Sequence, residues 1–187
     1  QILFCKEHLG IRYIRFWNIF EEDMFIDQRR NDEKLNYGRL YGILDFLVEN
    51  DLLPYMELRL KPRRILRTAN QALHAWDHPE DLKDLAEKSA FFDDFFSHLI
   101  RRYGQGEVKK WMFNYPVESG MHTAEQDFDD HLQDNYLRET YLEEFDAVAA
   151  TFRARFPEGQ IGGGSLPARH LGPERLKQLF RQWETRS

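Results

Sequence analysis

The stretch "WMFNYPVES", residues 111–119, is an apolar run that ends on a carboxylate. Trp111, Met112, Phe113, Tyr115 and Val117 give it the aromatic and β-branched character of a buried strand. Glu118 follows where such a strand leaves the core, and Pro116 and Val117 offer it no polar support. An unpartnered buried carboxylate is costly. Glu118 therefore raises the question of what the end of this strand is for.

Three other segments share this character: "IRYIRFWNIF" (11–20), "LLPYMELRL" (52–60) and the short "QIGGGSL" (160–166). The third strand is read over 108–117. Their continuous apolar character predicts strands covered on both faces. Between them lie helical stripes. Leu40, Ile43, Leu44, Leu47 and Val48 fall on one helical face, as do Phe92, Phe95, Phe96, Leu99, Ile100 and Tyr103, with Gly104 as the stop. Tyr141, Phe145, Val148 and Phe152 make a third stripe. Leu176, Leu179, Phe180 and Trp183 make a fourth, opened by Gly172-Pro173. The opening "ILFCKEHLG" fits the end of a helix closed by Gly10. The order α-β-α-β-α-β-α-β-α predicts right-handed crossovers and a parallel sheet. Two long loops, about 62–79 and 119–136, follow strands on the carboxyl side of the sheet, where α/β folds bind ligands.

The 187 residues, 42% hydrophobic and 31% charged, suffice for one soluble domain with its own core. The net charge of −6 and the lack of a basic stripe argue against a nucleic-acid contact by this segment; "KPRR" (61–64) is too short to make one. A single cysteine, Cys5, excludes an internal disulfide framework and a Cys-based zinc site, and favours a reducing, cytoplasmic setting. No apolar run approaches the roughly 20 residues of a membrane span. The chain opens on Gln1 within a helical pattern, which reads as a piece of a longer polypeptide.

Polar residues gather at the carboxyl ends of the strands. Arg15, Trp17 and Asn18 end the first, Glu57 and Arg59 the second, Asn114 and Glu118 the third, and Ser165 the fourth. In a parallel barrel these positions converge on one mouth. Carboxylates with an Arg there suit glycoside chemistry, in which one carboxyl acts as acid and another as nucleophile or base. Glu57 follows Met56 within an apolar run, which predicts a buried, hydrogen-bonded role, whereas Arg59 reads as a solvated strand end. Trp17, Tyr115 and Trp76 are candidate sugar-stacking rings. The seven histidines lack metal-ligand spacing, the acidic "EQDFDDHLQD" (125–134) lacks the pattern of a calcium loop, and no dinucleotide fingerprint follows the first strand. No metal and no cofactor are expected.

Taken in order, "LGIRYIRFWNIFEEDM", "LNYGRLYGILDFLVENDLLPYMELRLKP", "HLIRRYGQGEVKKWMFNYPVE" and "FRARFPEGQIGGGSL" resemble the second to fifth βα units of family 39 glycoside hydrolases, the β-xylosidase and α-L-iduronidase family. The resemblance spans nearly the whole chain. It implies an α/β fold, a partial (β/α)8 barrel of about four parallel strands, with residues 1–187 forming a single domain. It also implies retaining chemistry, with an acid/base Glu after the fourth barrel strand and a nucleophile Glu after the seventh. By position Glu118 falls on the acid/base, Arg15 on the Arg of the second barrel strand, and Glu57 on the Glu of the third. Trp17, Asn18, Asn114 and Tyr115 join them as candidate substrate-binding positions.

The departures are as informative. Val117 stands where the family keeps the Asn that holds the substrate's 2-hydroxyl, Pro116 where it keeps a Trp, Asn114 where it keeps a Glu, and Trp17 where it keeps a His. A retaining enzyme needs two carboxyls about 5 Å apart, and the nucleophile-bearing strand lies outside these residues. Degenerate barrels of this kind occur as the carboxyl-terminal part of AraC-type transcription regulators. The resemblance thus implies a sugar-binding domain whose catalytic motif has drifted, with a xyloside-like carbohydrate as partner. The alternative is a fragment of an active β-xylosidase-type glycosidase. Half a barrel also leaves unpaired edges, on the 52–60 and 160–166 sides or on whichever strands lie outermost, that invite self-association.

Overall fold

The computed structural model describes residues 1–16, 19–20, 36–58, 84–115, 141–163 and 173–184. The elements run α1 (Ile2–Leu9), β1 (Tyr13–Phe16), α2 (Gly38–Glu49), β2 (Leu53–Glu57), α3 (Leu85–Tyr103), α4 (Gln105–Val108), β3 (Met112–Tyr115), α5 (Tyr141–Arg155), β4 (Gln160–Gly163) and α6 (Pro173–Glu184). The strands form one parallel four-stranded sheet in the order β1-β2-β3-β4. Each strand therefore pairs with its neighbour in sequence through a helical crossover, the arrangement of a partial (β/α)8 barrel.

Local chemistry explains the helix ends. Gly10 takes the left-handed conformation (φ 68°, ψ 25°) and its N–H closes α1 on the Lys6 carbonyl. Asp84 caps α3, its carboxylate accepting from the Glu87 N–H at 2.9 Å. Gly104 (φ 80°) ends α3 and the chain turns at once into α4. The third strand is accordingly shorter than its sequence suggests. Val108 lies in α4 and Lys109–Trp111 in the turn that follows, with the Trp111 N–H bonded back to the Val108 carbonyl.

Register sorts the sheet into two faces. Phe16, Met56, Phe113 and Ile161 lie in one row across all four strands. Phe113 meets Phe96 of α3 and Phe152 of α5 at ring-centre distances of 5.7 and 5.1 Å, so this face packs on the helices. Phe92, Phe95, Phe96, Leu99 and Phe152 are fully buried there. The opposite face carries Arg15, Tyr55, Glu57, Met112 and Asn114. The expected cover on both faces holds for the inner strands, where every position of β2 and β3 is buried or half-buried, whereas β1 and β4 alternate exposed with half-buried positions. Arg15, Glu57 and Asn114 make a polar row on the front face.

The same order shows which strands lie outermost. The outer strands of the described sheet are β1 and β4; β2, within the 52–60 stretch, is paired on both sides. In α6, Pro173 opens the helix as expected and Phe180 is exposed, while the side chains of Leu176, Leu179 and Trp183 lie outside the described residues. Among the described residues no helix is long and apolar enough to cross a membrane.

Candidate functional site

The polar row is built from three strand ends. Glu57 closes β2, and its register partner on β3 is Asn114, whose partner on β4 is Gly162. Glu57 is 2% exposed and Asn114 4%. Arg15 lies on the same face, two positions lower on β1 opposite Tyr55, and its guanidinium reaches up to Glu57 in an ion pair. Its Cζ also lies 5.8 Å from the centre of the Tyr55 ring. The buried carboxylate is thus matched by a cation that is itself half exposed, so the pair faces an open side. Gly162 leaves the space beside Asn114 free: a methyl group there would meet the Asn114 Oδ1 only at 3.6 Å. Glu57 has the buried, hydrogen-bonded role its place in the sequence predicts.

Tyr115 does not join this row. It follows Asn114 and so points to the other face, where it is buried among the helices. Its ring stacks on Tyr141 at 5.9 Å, and its hydroxyl donates to Glu144 Oε2 at 2.8 Å. The structure therefore corrects its expected position at the mouth: the alternation of the strand places it behind the sheet. Trp17, Asn18, Arg59, Trp76, Ser165 and Glu118 lie outside the described residues. Among the described residues no cluster of His, Cys, Asp or Glu has the makings of a metal site.

Behind β3 lies a polar cluster that the sequence reading missed. Lys88 of α3, 1% exposed, forms an ion pair with Glu144 of α5, 4% exposed. Glu144 also accepts from Tyr115, and the Tyr141 hydroxyl donates to the Tyr115 carbonyl at 2.9 Å. Burial holds the Lys88 ammonium below its ordinary value, with Glu144 opposing that shift. The signal was available. Lys88 stands four residues before Phe92, and Glu144 four before Val148, so each is a charge in phase with an apolar stripe. Further out, Asp93 accepts both Arg155 Nε and Nη2, and Asp45 accepts from Arg102 and from the Tyr103 hydroxyl. The arginine bonds hold both aspartates below their usual range.

A parallel sheet with Arg15, Glu57 and Asn114 on one face does not by itself name a family, and comparison with known proteins does. The sequence model of glycosyl hydrolases family 39 matches residues 1–183. The chain belongs to that family. Among curated proteins, a β-xylosidase of Caldicellulosiruptor saccharolyticus is 30% identical over 115 residues, covering 60% of this chain and 24% of that protein. Human α-L-iduronidase is 28% identical over 156 residues, covering 83% of this chain and 21% of that protein. Among solved structures, a family 39 β-xylosidase from Caulobacter crescentus superposes with a TM-score of 0.69 at 24% identity, over 96% of this chain and 39% of that one. A family 39 enzyme from Xanthomonas axonopodis pv. citri gives 0.70 at 25% identity, over 96% and 34%. The chain spans about a quarter of the length of the curated relatives it matches.

Proposed function

We propose that this family 39 domain binds a carbohydrate without hydrolysing it, and serves as the sugar-sensing effector domain of an AraC-type transcription regulator acting in the cytoplasm. The observation that carries the reading is the Arg15–Glu57–Asn114 row. It offers a fixed carboxylate and an amide, acceptors and donors suited to sugar hydroxyls, at the edge where parallel barrels take their ligands. Glu57 is engaged by a cation, which suits holding a hydroxyl better than delivering a proton. The altered neighbours of Glu118, Pro116 and Val117, support loss of turnover. Two of the curated relatives are named β-xylosidases, which supports a xylose-type sugar.

The test is a thermal-shift series on the full-length protein with D-xylose, L-arabinose and xylobiose, beside an assay with an aryl xyloside. Saturable stabilisation without turnover is expected; a ligand at 100 times its Kd adds about 2.7 kcal/mol. Turnover abolished by Glu118→Gln would establish the second reading, an active retaining glycosidase with Glu118 as acid/base. The named activity of the curated relatives favours that alternative. The regulator role further requires sugar-dependent DNA binding by the full-length protein. We also propose that residues 1–187 alone self-associate through the backbone edges of β1 and β4. A concentration-independent monomer in sedimentation would refute this.

A further inference from the structure

The buried polar or charged residues among the described ones are Glu57, Asn114, Lys88 and Glu144. The first two form the front row; the last two sit behind the same strand. We infer that Lys88 and Glu144, with Tyr115 and Tyr141, form an anchor for the carboxyl end of β3, and that Glu144 and Tyr141 are positioning residues for the Glu57–Asn114 row. The anchor deepens the sugar-binding reading, on which the functional meaning of the row rests.

Tyr115 is gripped twice. Its hydroxyl donates to Glu144, and its carbonyl accepts from Tyr141. Glu144 is held in turn by Lys88 on a different helix, so α3, α5 and β3 meet at this one residue. The grip has no slack on its far side. A methyl group on Gly163, the register partner of Tyr115, would lie 2.6 Å from the Tyr141 hydroxyl and 2.8 Å from the Phe145 ring. Asn114 immediately precedes Tyr115 and points the other way. A rotation of the backbone at Tyr115 therefore turns the Asn114 amide relative to Glu57. The Asn114 carbonyl also accepts from the Leu58 N–H at 2.7 Å, which links the ends of β3 and β2. Stability alone does not call for charges here, because apolar residues in place of a buried ion pair serve it as well or better.

The test uses the full-length protein with Tyr141→Phe and with the double replacement Lys88→Met/Glu144→Leu. Three quantities are read: the unfolding midpoint, hydrogen exchange at the Leu58 amide with Phe96 as internal control, and the Kd for xylobiose. The expected result is a retained midpoint, exchange at Leu58 faster by about tenfold with Phe96 unchanged, and xylobiose binding weaker by about tenfold. A cluster serving only stability would accelerate both amides together. Unchanged exchange at Leu58 overturns the anchor. Should the double variant fail to fold, Tyr141→Phe decides, since it removes one hydroxyl and leaves the ion pair. If the wild type binds no xylobiose, the sugar reading fails, and the anchor stands or falls on the exchange data alone.

Discussion

The guanidinium of Arg15 on β1 is paired with the carboxylate of Glu57 on β2, 42 residues away in sequence, and Glu57 is almost wholly buried while Arg15 is half exposed. Replacing Arg15 by Met keeps the packing stem and leaves the carboxylate without its cation. The expected cost is about 1–3 kcal/mol, toward the low end because the site is open to water. Urea unfolding measures it, and Glu57→Gln should cost less. A loss too small to resolve would mean that water substitutes fully for the guanidinium.

Adjacent glycines on β4 should respond oppositely to a methyl group. Gly163→Ala drives a methyl into the Tyr141 hydroxyl and the Phe145 ring and should cost about 1–3 kcal/mol. Gly162→Ala meets only ordinary contact with the Asn114 amide and should be neutral to within about 0.5 kcal/mol. Thermal unfolding of the two variants side by side checks the contrast. Equal effects would contradict the assignment of their faces.

Lys88 gives a pH signature. In the unfolded chain it keeps its proton up to its ordinary value of 10.5, whereas burial lowers that value in the fold. The unfolded state therefore binds more protons in the interval between, and stability contributed by this group rises with pH across it. The difference in unfolding free energy between wild type and Lys88→Met should grow with pH from the lowered folded value up to 10.5. A flat difference would contradict the burial of the amine.

Acid should loosen the helix layer. Asp93 and Asp45 are both held below the usual 3.8 by their arginine partners. Their contribution is present above that value and fades as pH falls through the lowered folded values. Asp93 and Arg155 are both nearly half exposed, so the pair is worth at most about 1 kcal/mol. Asp93→Asn should lower stability at neutral pH by no more than this, and the gap from wild type should close in strong acid.

The fold was legible because apolar periodicity records burial. The stripes through Leu40, Leu44 and Leu47 and through Phe92, Phe95, Phe96 and Leu99 are the buried faces of α2 and α3. The strand limits were less legible. "VKKW" has strand-like residues, yet Gly104 opens a turn that spends Val108 through Trp111 on reversing the chain. The reading of strand ends grouped Glu57 with Asn114, which the register pairs, but alternation along β3 sends Tyr115 to the other side, which a reading of strand ends as one group overlooks. Lys88 and Glu144 went unread because charges are presumed to face water. Their phase with Phe92 and Val148 says otherwise, and only the tertiary meeting of α3 and α5 shows which charge answers which.

The strictly consecutive strand order bears on how the chain is made. Among the described strands, β2, β3 and β4 each pair with a strand synthesised before them, so pairing can proceed by addition without waiting for distant sequence. The slowest joins are the two longest crossovers, from β2 to β3 and from β3 to β4, because closing a longer loop costs more entropy. β3 takes part in both. Assembly of the nascent domain should therefore turn on β3, with Phe113 supplying the aromatic seed against which α3 and then α5 condense.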